Sequence, residues 1–299
     1  NMKRNIYSYS KLWMIFFVLM GAACTNQVED AIPVSGQPIE FSVLSDWKEI
    51  PNTRLNDGKT QFKDSDSIQI FGFHKSLSGE VKKFMYRVNE PARGQKVGFD
   101  GKDWNYSPKR FWPKEGTLDF YASYPDYSVL NEEDKMTYVQ PDFNPLGVDL
   151  LWGLATDRNC AKAEIVPIWM VHALAKVNIF FDSSLGDIKK VIVSAYKAGY
   201  FSIAADNGVP IWSIDDKKGF QEATFESSSK IYDVTVFILP EKITGLKLIF
   251  DDKVIDASEE IKKHTFEAGK VYNLTISKGV QKKNTNSRSI AMSVRCVSE

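Results

Sequence analysis

The sequence predicts an all-β protein built as two β-sandwich domains in tandem. Short stretches rich in Val, Ile, Phe, Tyr and Thr recur along the 299 residues with turn residues between them, which is how the strands of a sandwich follow one another. No long stretch repeats apolar residues at the spacing of an amphipathic helix. Aromatic residues make up 13% of the chain, and large rings suit pleated, half-buried strands. The length accommodates two medium domains. Hydrophobic residues at 43% and charged residues at 25% are ordinary for a packed globular chain.

The 38 basic and 38 acidic residues cancel, and no strongly basic block precedes the C-terminal tail. A nucleic-acid protein needs a concentrated positive footprint, so that class is excluded. Cys24, Cys160 and Cys296 are too few and too scattered for a disulfide framework or a zinc site.

The N-terminus reads as an address. Lys3, Arg4 and Lys11 precede the apolar run Leu12–Met20, and Gly21-Ala22-Ala23-Cys24 follows. This is the basic, apolar and small-residue succession of a signal peptide (1–23), too short to span a bilayer. Translation is expected to start at Met2. Small residues ending at a cysteine resemble a bacterial lipobox, with Gly21 where leucine is commonest, so Cys24 is the expected lipid attachment site. Residues 24–38, polar with Pro33 and Gly36, form a tether through which acyl chains would hold a domain at a membrane surface. Losing Lys3, Arg4 and Lys11 with the leader lowers 38 basic residues to 35, against 38 acidic.

The first sandwich is expected over 39–164. Ile39–Leu44 alternates apolar and polar residues and reads as its first strand. A polar loop with Pro51, Asn52 and Gly58 follows and contains Arg54. Ser67–Phe73 is a clear strand; Val81–Val88 and Lys96–Phe99 are weaker ones. Asp100–Asp103 makes a turn before Trp104. In Thr117–Pro125, Leu118, Phe120 and Ala122 share one face. Residues 131–145 read as a loop. The polar interval Thr156–Glu164 reads as the seam between domains, and the apolar run Ile165–Phe181 as the first core of the second sandwich (165–279). There, Lys189–Ala195, Tyr200–Ala204, Tyr232–Leu239, Gly245–Phe250 and Val271–Ile276 are strands. Tyr232–Leu239, nearly continuous in apolar residues, is expected to be central in its sheet.

Candidates for chemistry are weak. His74, His172 and His264 lack the close spacing of metal motifs, and His172, within an apolar run, reads as a structural histidine. Asp64-Ser65-Asp66-Ser67 is only faintly like a calcium loop, without its glycine and distal glutamate. No nucleophile elbow, phosphate loop or zinc-protease motif is present. The carboxylate pairs Asp215-Asp216, Asp251-Asp252 and Glu259-Glu260 adjoin turns or strand ends and read as solvated faces, with a glycosidase pair assembled in space as a distant alternative. Trp104, Trp112 and Trp212 read as core, with sugar stacking as the alternative. These residues predict no enzyme, cofactor or metal.

A set of segments, ordered as they are here, resembles the fimbrillins, the Mfa-like subunits of type V pili in Gram-negative bacteria. They are Ile68-Gln69-Ile70-Phe71, Pro108–Pro113 around Phe111-Trp112, Leu118–Pro125, Asp149-Leu150-Leu151-Trp152-Gly153, Val171–Val177 and Ala268–Leu274. The resemblance spans roughly Ile39 to Lys278, and the lipobox-like start agrees with the family's export route. It implies two transthyretin-like Greek-key β-sandwiches, no catalysis, and assembly by strand exchange. In that scheme an outer-membrane protease cuts after an arginine, a strand leaves, and a neighbour's extended segment fills the groove. Arg54, in the loop after Ile39–Leu44, is the candidate processing site.

The tail, 280–299, departs from the family pattern. Gln281–Arg288 is linker-like, and Ile290, Met292, Val294 and Cys296 then fall on one face, the spacing a donor strand needs. The close Ser293–Val297 also resembles the end of a separate bacterial surface module. A disordered tail or a self-paired edge strand is the plain alternative.

The expected function is therefore a structural subunit of surface fimbriae serving adhesion, as stalk, anchor or tip. Retained lipid favours anchor, and cleavage at Arg54 favours stalk. Expected partners are other subunits through strand exchange, the outer membrane through acyl chains on Cys24, and a host or bacterial surface receptor. The expected location is the cell surface. The competing class is a surface lipoprotein that captures glycans through exposed aromatics.

Overall fold

The computed structural model of the protein describes residues 32–45, 62–125, 129–130, 135–139, 149–202, 210–278 and 292–298. The first half contains β1 (Val34–Pro38), β2 (Phe41–Ser45), β3 (Ser67–Lys75), β4 (Val81–Met85), β5 (Gln95–Phe99) and β6 (Trp104–Asn105). It continues through β7 (Phe111–Pro113), β8 (Thr117–Tyr124), β9 (Val129–Leu130), β10 (Lys135–Val139), β11 (Leu151–Asn159) and β12 (Val166–His172). The second half runs through β13 (Ala175–Phe181), β14 (Lys190–Tyr196), β15 (Ala198–Ser202), β16 (Trp212–Ile214) and β17 (Phe220–Glu226). It ends with β18 (Asp233–Ile238), β19 (Ile243–Ile249), β20 (Val254–Asp256), β21 (Val271–Lys278) and β22 (Met292–Ser298). A one-turn helix, α1 (Ser258–Ile261), lies between β20 and β21.

The chain is all-β, as expected. In the first sandwich the strands run β2-β12-β11-β8-β3-β5-β6, β4 also pairs with β3, and β1 and β7 form a separate ribbon. Its core gathers Phe41, Ile70, Leu118, Phe120, Ile168 and Met170 under Trp104, Tyr106 and Trp112. The second sandwich has sheets β18-β13-β21-β22 and β17-β14-β19-β20 around Val177, Ile179, Val193, Leu246, Leu248 and Leu274. Each sandwich has a parallel pairing between an early and a late strand: β2 on β12 and β13 on β21.

A third sheet, β16-β15-β10-β9, provides Phe201 and Trp212 to an aromatic cluster with Phe71, Phe73 and Trp152 of the first sandwich and Leu239 of the second. Strands β3, β8 and β11 therefore have apolar contacts on both faces. The burial of seven consecutive residues in β3 (Ile68–His74) follows from this.

The domain boundary differs from the expected one near Glu164. Ile165–Phe181 is two strands of two sheets: β12 hydrogen-bonds to β11 and β2 in the first sandwich, and β13 opens the second. The chain changes sheet at Ala173 and Leu174, both fully buried, so hydrophobicity is unbroken where the domain changes. Thr156–Glu164 falls instead in the β11–β12 hairpin. Gly153 lets that hairpin close, because a Cβ there would lie 2.7 Å from the Trp169 carbonyl oxygen.

Two further differences concern strand placement. Lys135–Val139, expected in a loop, pairs with β15 from Lys135↔Ser202 to Val139↔Ala198. Strand β18, expected to be central, ends its sheet. Its apolar run has another cause: Val234, Val236 and Ile238 face the core, and Phe237, from the opposite face, packs in the interdomain cluster.

Candidate functional site

Residues 34–45 tie the two layers of the first sandwich together. β1 pairs antiparallel with β7 (Val34↔Pro113, Pro38↔Phe111), and the Ile39 N–H donates to the Arg110 carbonyl at 2.9 Å. At Glu40 the chain changes partner: its carbonyl accepts from the Val166 N–H at 2.8 Å. β2 then runs parallel to β12, with Phe41 opposite Val166 and Ser45 opposite Met170.

Strand alternation sends Ile39, Phe41 and Val43 into the core, each under a tenth exposed, and Ser42 and Leu44 outward. The Phe41 ring meets Phe120 edge-on at 5.3 Å and Tyr106 at 5.9 Å. The Tyr106 hydroxyl donates to the Ile39 carbonyl at 2.8 Å; burial raises this phenol above its usual pKa, against the lowering effect of Arg110. On the outer face Leu44 lies opposite Trp169, and the two are 53% and 54% exposed.

Among the described residues β2 pairs with β12 alone, so its far side is a sheet edge with open backbone groups. Taking this strand away together with Ile39 would leave the Ile39, Phe41 and Val43 sites open and free one edge of β12 in one step. Arg54 and Cys24, the candidate processing and lipid sites, lie outside the described residues, as does Ile290.

The tail forms a strand on its own second sandwich. β22 pairs antiparallel with β21 through seven positions, from Tyr272↔Ser298 to Lys278↔Met292. Val294 stands opposite Ile276 and Cys296 opposite Leu274, and both of those β21 residues are fully buried. The tail thus occupies an edge beside core positions at the end of sheet β18-β13-β21-β22.

Several of the other chemical candidates are engaged in structure. His172 closes β12, its Nδ1 2.7 Å from Asp149 Oδ2. Nearby, burial lowers the Lys176 ammonium pKa, opposed by the Asp149 charge. His74 Nε2 lies 2.9 Å from the Glu115 carbonyl oxygen. Glu259 and Glu260 pair with Lys262 and Lys263 at 2.8 and 2.7 Å. Trp104 and Trp112 are core residues, and the half-buried Trp212 donates its indole N–H to the Ala173 carbonyl at 2.7 Å. Cys160 is buried, and desolvation pushes its thiol up to about 11. Among the described residues no group of three or more His, Cys, Asp or Glu could hold a metal ion, and no helix is long and apolar enough to cross a membrane.

Sequence reasoning missed the outward pair Leu44 and Trp169. Its only signal was that each falls at the polar phase of its own strand, and only the register places them side by side.

A family model described as fimbrillin-like matches residues 53–291. A search of curated proteins gives no match. Among solved structures, a candidate cell adhesion protein of Bacteroides uniformis is similar at TM-score 0.53 and 14% identity, covering 88% of this chain and 97% of its own. A candidate cell adhesion protein of Bacteroides ovatus is similar at 0.52 and 14%, covering 87% and 96%. At such identity these two establish a shared fold. The family match begins after β2, runs through both sandwiches and reaches the tail, and on that match the chain belongs to the fimbrillin-like family.

Proposed function

We propose that the chain is a structural subunit of adhesive surface fimbriae, exported as a lipoprotein through Cys24 and assembled by strand exchange. Supporting this is the position of residues 34–45: they form the edge of the first sandwich, fill its core with three side chains, and precede Arg54 in sequence. Cutting after Arg54 would release both strands, the tether and the lipid together. The slot left behind would present apolar pockets and unpaired β12 backbone, and an added strand satisfies both at once. The tail, a strand at an edge of the same molecule, is the candidate donor.

Deleting residues 280–299 tests this reading. The truncated chain should still fold, because both cores lie within 39–276, but sheared surface material should contain monomers and no polymer. Polymers of ordinary length from the truncated chain would sink the reading. N-terminal sequencing of the wild-type polymer separates the roles. A first residue of Leu55 is expected for a repeating subunit, whereas a lipid-blocked Cys24 throughout would rule out cutting.

A further inference from the structure

Strand β12 and the residue ahead of it are apolar on both faces. Val166, Ile168 and Met170 enter the first core, and the alternate residues Ile165, Pro167, Trp169 and Val171 are apolar too. Of these outward residues Ile165 and Trp169 are more than half exposed, Pro167 is exposed and Val171 half-buried. A strand without a polar phase has the pattern of one packed on both sides. β3 is packed that way, with the third sheet as its second cover. The register places the covered and the open case on one line across the sheet. Phe71 lies opposite Tyr121, Tyr121 opposite Leu154, and Leu154 opposite Trp169, which faces Leu44. Phe71 is 1% exposed and Leu44 53%, so the third sheet shields one end of an apolar row whose other end meets solvent.

We infer that the outer face of β12 is a side-to-side contact between two copies of this chain, packed face to face about a two-fold axis near Trp169. The open face continues the interdomain interface without a break, so it is a packing surface of the same kind. A glycan would need hydrogen-bonding side chains beside the ring, and the cross-strand neighbours of Trp169 are Leu44 and Leu154. An anionic lipid surface is opposed by the exposed Glu40 and Glu164 at the start of the strand. Against itself the face meets no like charge, because residues 165–171 carry none. A two-fold axis also turns the acidic end of one copy away from that of the other.

Few residues on each side carry this contact, against about 20–30 in a standard interface, so a single pair is weak. Repetition along a fibre changes that, since a row of such faces binds a second row with the avidity of many linked sites. The contact would then draw fimbriae into lateral bundles. That second step rests on the fimbrial reading, whereas the pairing of two copies does not. Removal of β2 takes Leu44 away but leaves Ile165, Pro167, Trp169 and Val171 in place, so the face outlasts processing.

Sedimentation equilibrium of the soluble chain lacking residues 1–24 tests the pairing. Its average mass is expected to rise toward that of a dimer as concentration increases from the micromolar range upward. Ile165→Lys with Trp169→Lys should weaken the dimer at least tenfold, because two-fold packing sets the new charges against their own copies. Both side chains are exposed, so an unchanged melting temperature should show that the variant folds. Val254→Lys, at an equally exposed apolar residue of the second sandwich, should dimerise like wild type. A wild-type chain that stays monomeric throughout, or a dimer that the double lysine leaves intact, would overturn the inference. Electron microscopy of sheared fimbriae tests the second step: wild-type fibres should lie in bundles and double-lysine fibres singly. Single fibres from both would overturn the bundling. Dimers in solution with no fibres from wild type would overturn the fimbrial reading and leave the pairing standing.

Discussion

Replacing Phe41 by alanine is expected to destabilise the monomer by about 3–5 kcal/mol, the usual cost of removing a buried phenylalanine. The ring is 6% exposed and contacts both Phe120 and Tyr106, so its loss forfeits apolar burial and two aromatic contacts together. A domain of this size should lose about 10 °C in Tm for such a change. Ser42→Ala, one residue along and facing outward, should cost less than about 0.5 kcal/mol. Equal effects at the two positions would contradict the alternation that places β2 in the core.

The same substitution separates the monomer from the polymer. If residues up to Arg54 are discarded on assembly, Phe41 is absent from the fimbria, and fimbriae made from the Phe41→Ala chain should match wild type in thermal stability. Met292→Ala should have the reverse effect, leaving the unprocessed monomer stable and weakening the polymer. Fimbriae weakened by Phe41→Ala as much as the monomer is would show that β2 stays in place. Thermal melting of purified monomer and purified fimbriae, side by side, checks both.

Much of this arrangement is legible in the order of the residues, because most strands here carry one apolar face. Leu118, Phe120 and Ala122 point into the first core as their alternation predicts. What alternation could not give is the use of the other face. Tyr121, on the opposite side of β8, meets Phe73 and Trp152 in the interdomain cluster instead of solvent. The boundary at Ala173–Leu174 is hidden for a related reason: a strand that leaves one core and a strand that enters the next are both apolar. Strand β17 escapes a reading by hydrophobic pattern because it is an edge strand with one fully buried residue, Ala223, and so carries almost no hydrophobic signal.

Trp152→Ala is expected to uncouple the two sandwiches. Trp152 is fully buried, stacked on Tyr121 at 6.1 Å and edge-on to Phe201 at 5.0 Å. It thereby joins β8 and β11 of the first sandwich to the third sheet, beside Leu239 from the second. Removing the indole opens a cavity at a junction that no continuous sheet crosses among the described residues, at a cost of about 3–5 kcal/mol. Wild type should unfold in one calorimetric transition because this buried cluster couples the cores. The alanine variant should show two, since each sandwich keeps its own core intact. Trp152→Phe should cost much less, about 1–1.5 kcal/mol: a ring remains against Tyr121 and Phe201, and the indole N–H it removes meets no protein acceptor. A single transition for the alanine variant at the wild-type temperature would mean that the sandwiches are held together elsewhere. Two transitions would assign the coupling of the two sandwiches to this one aromatic junction.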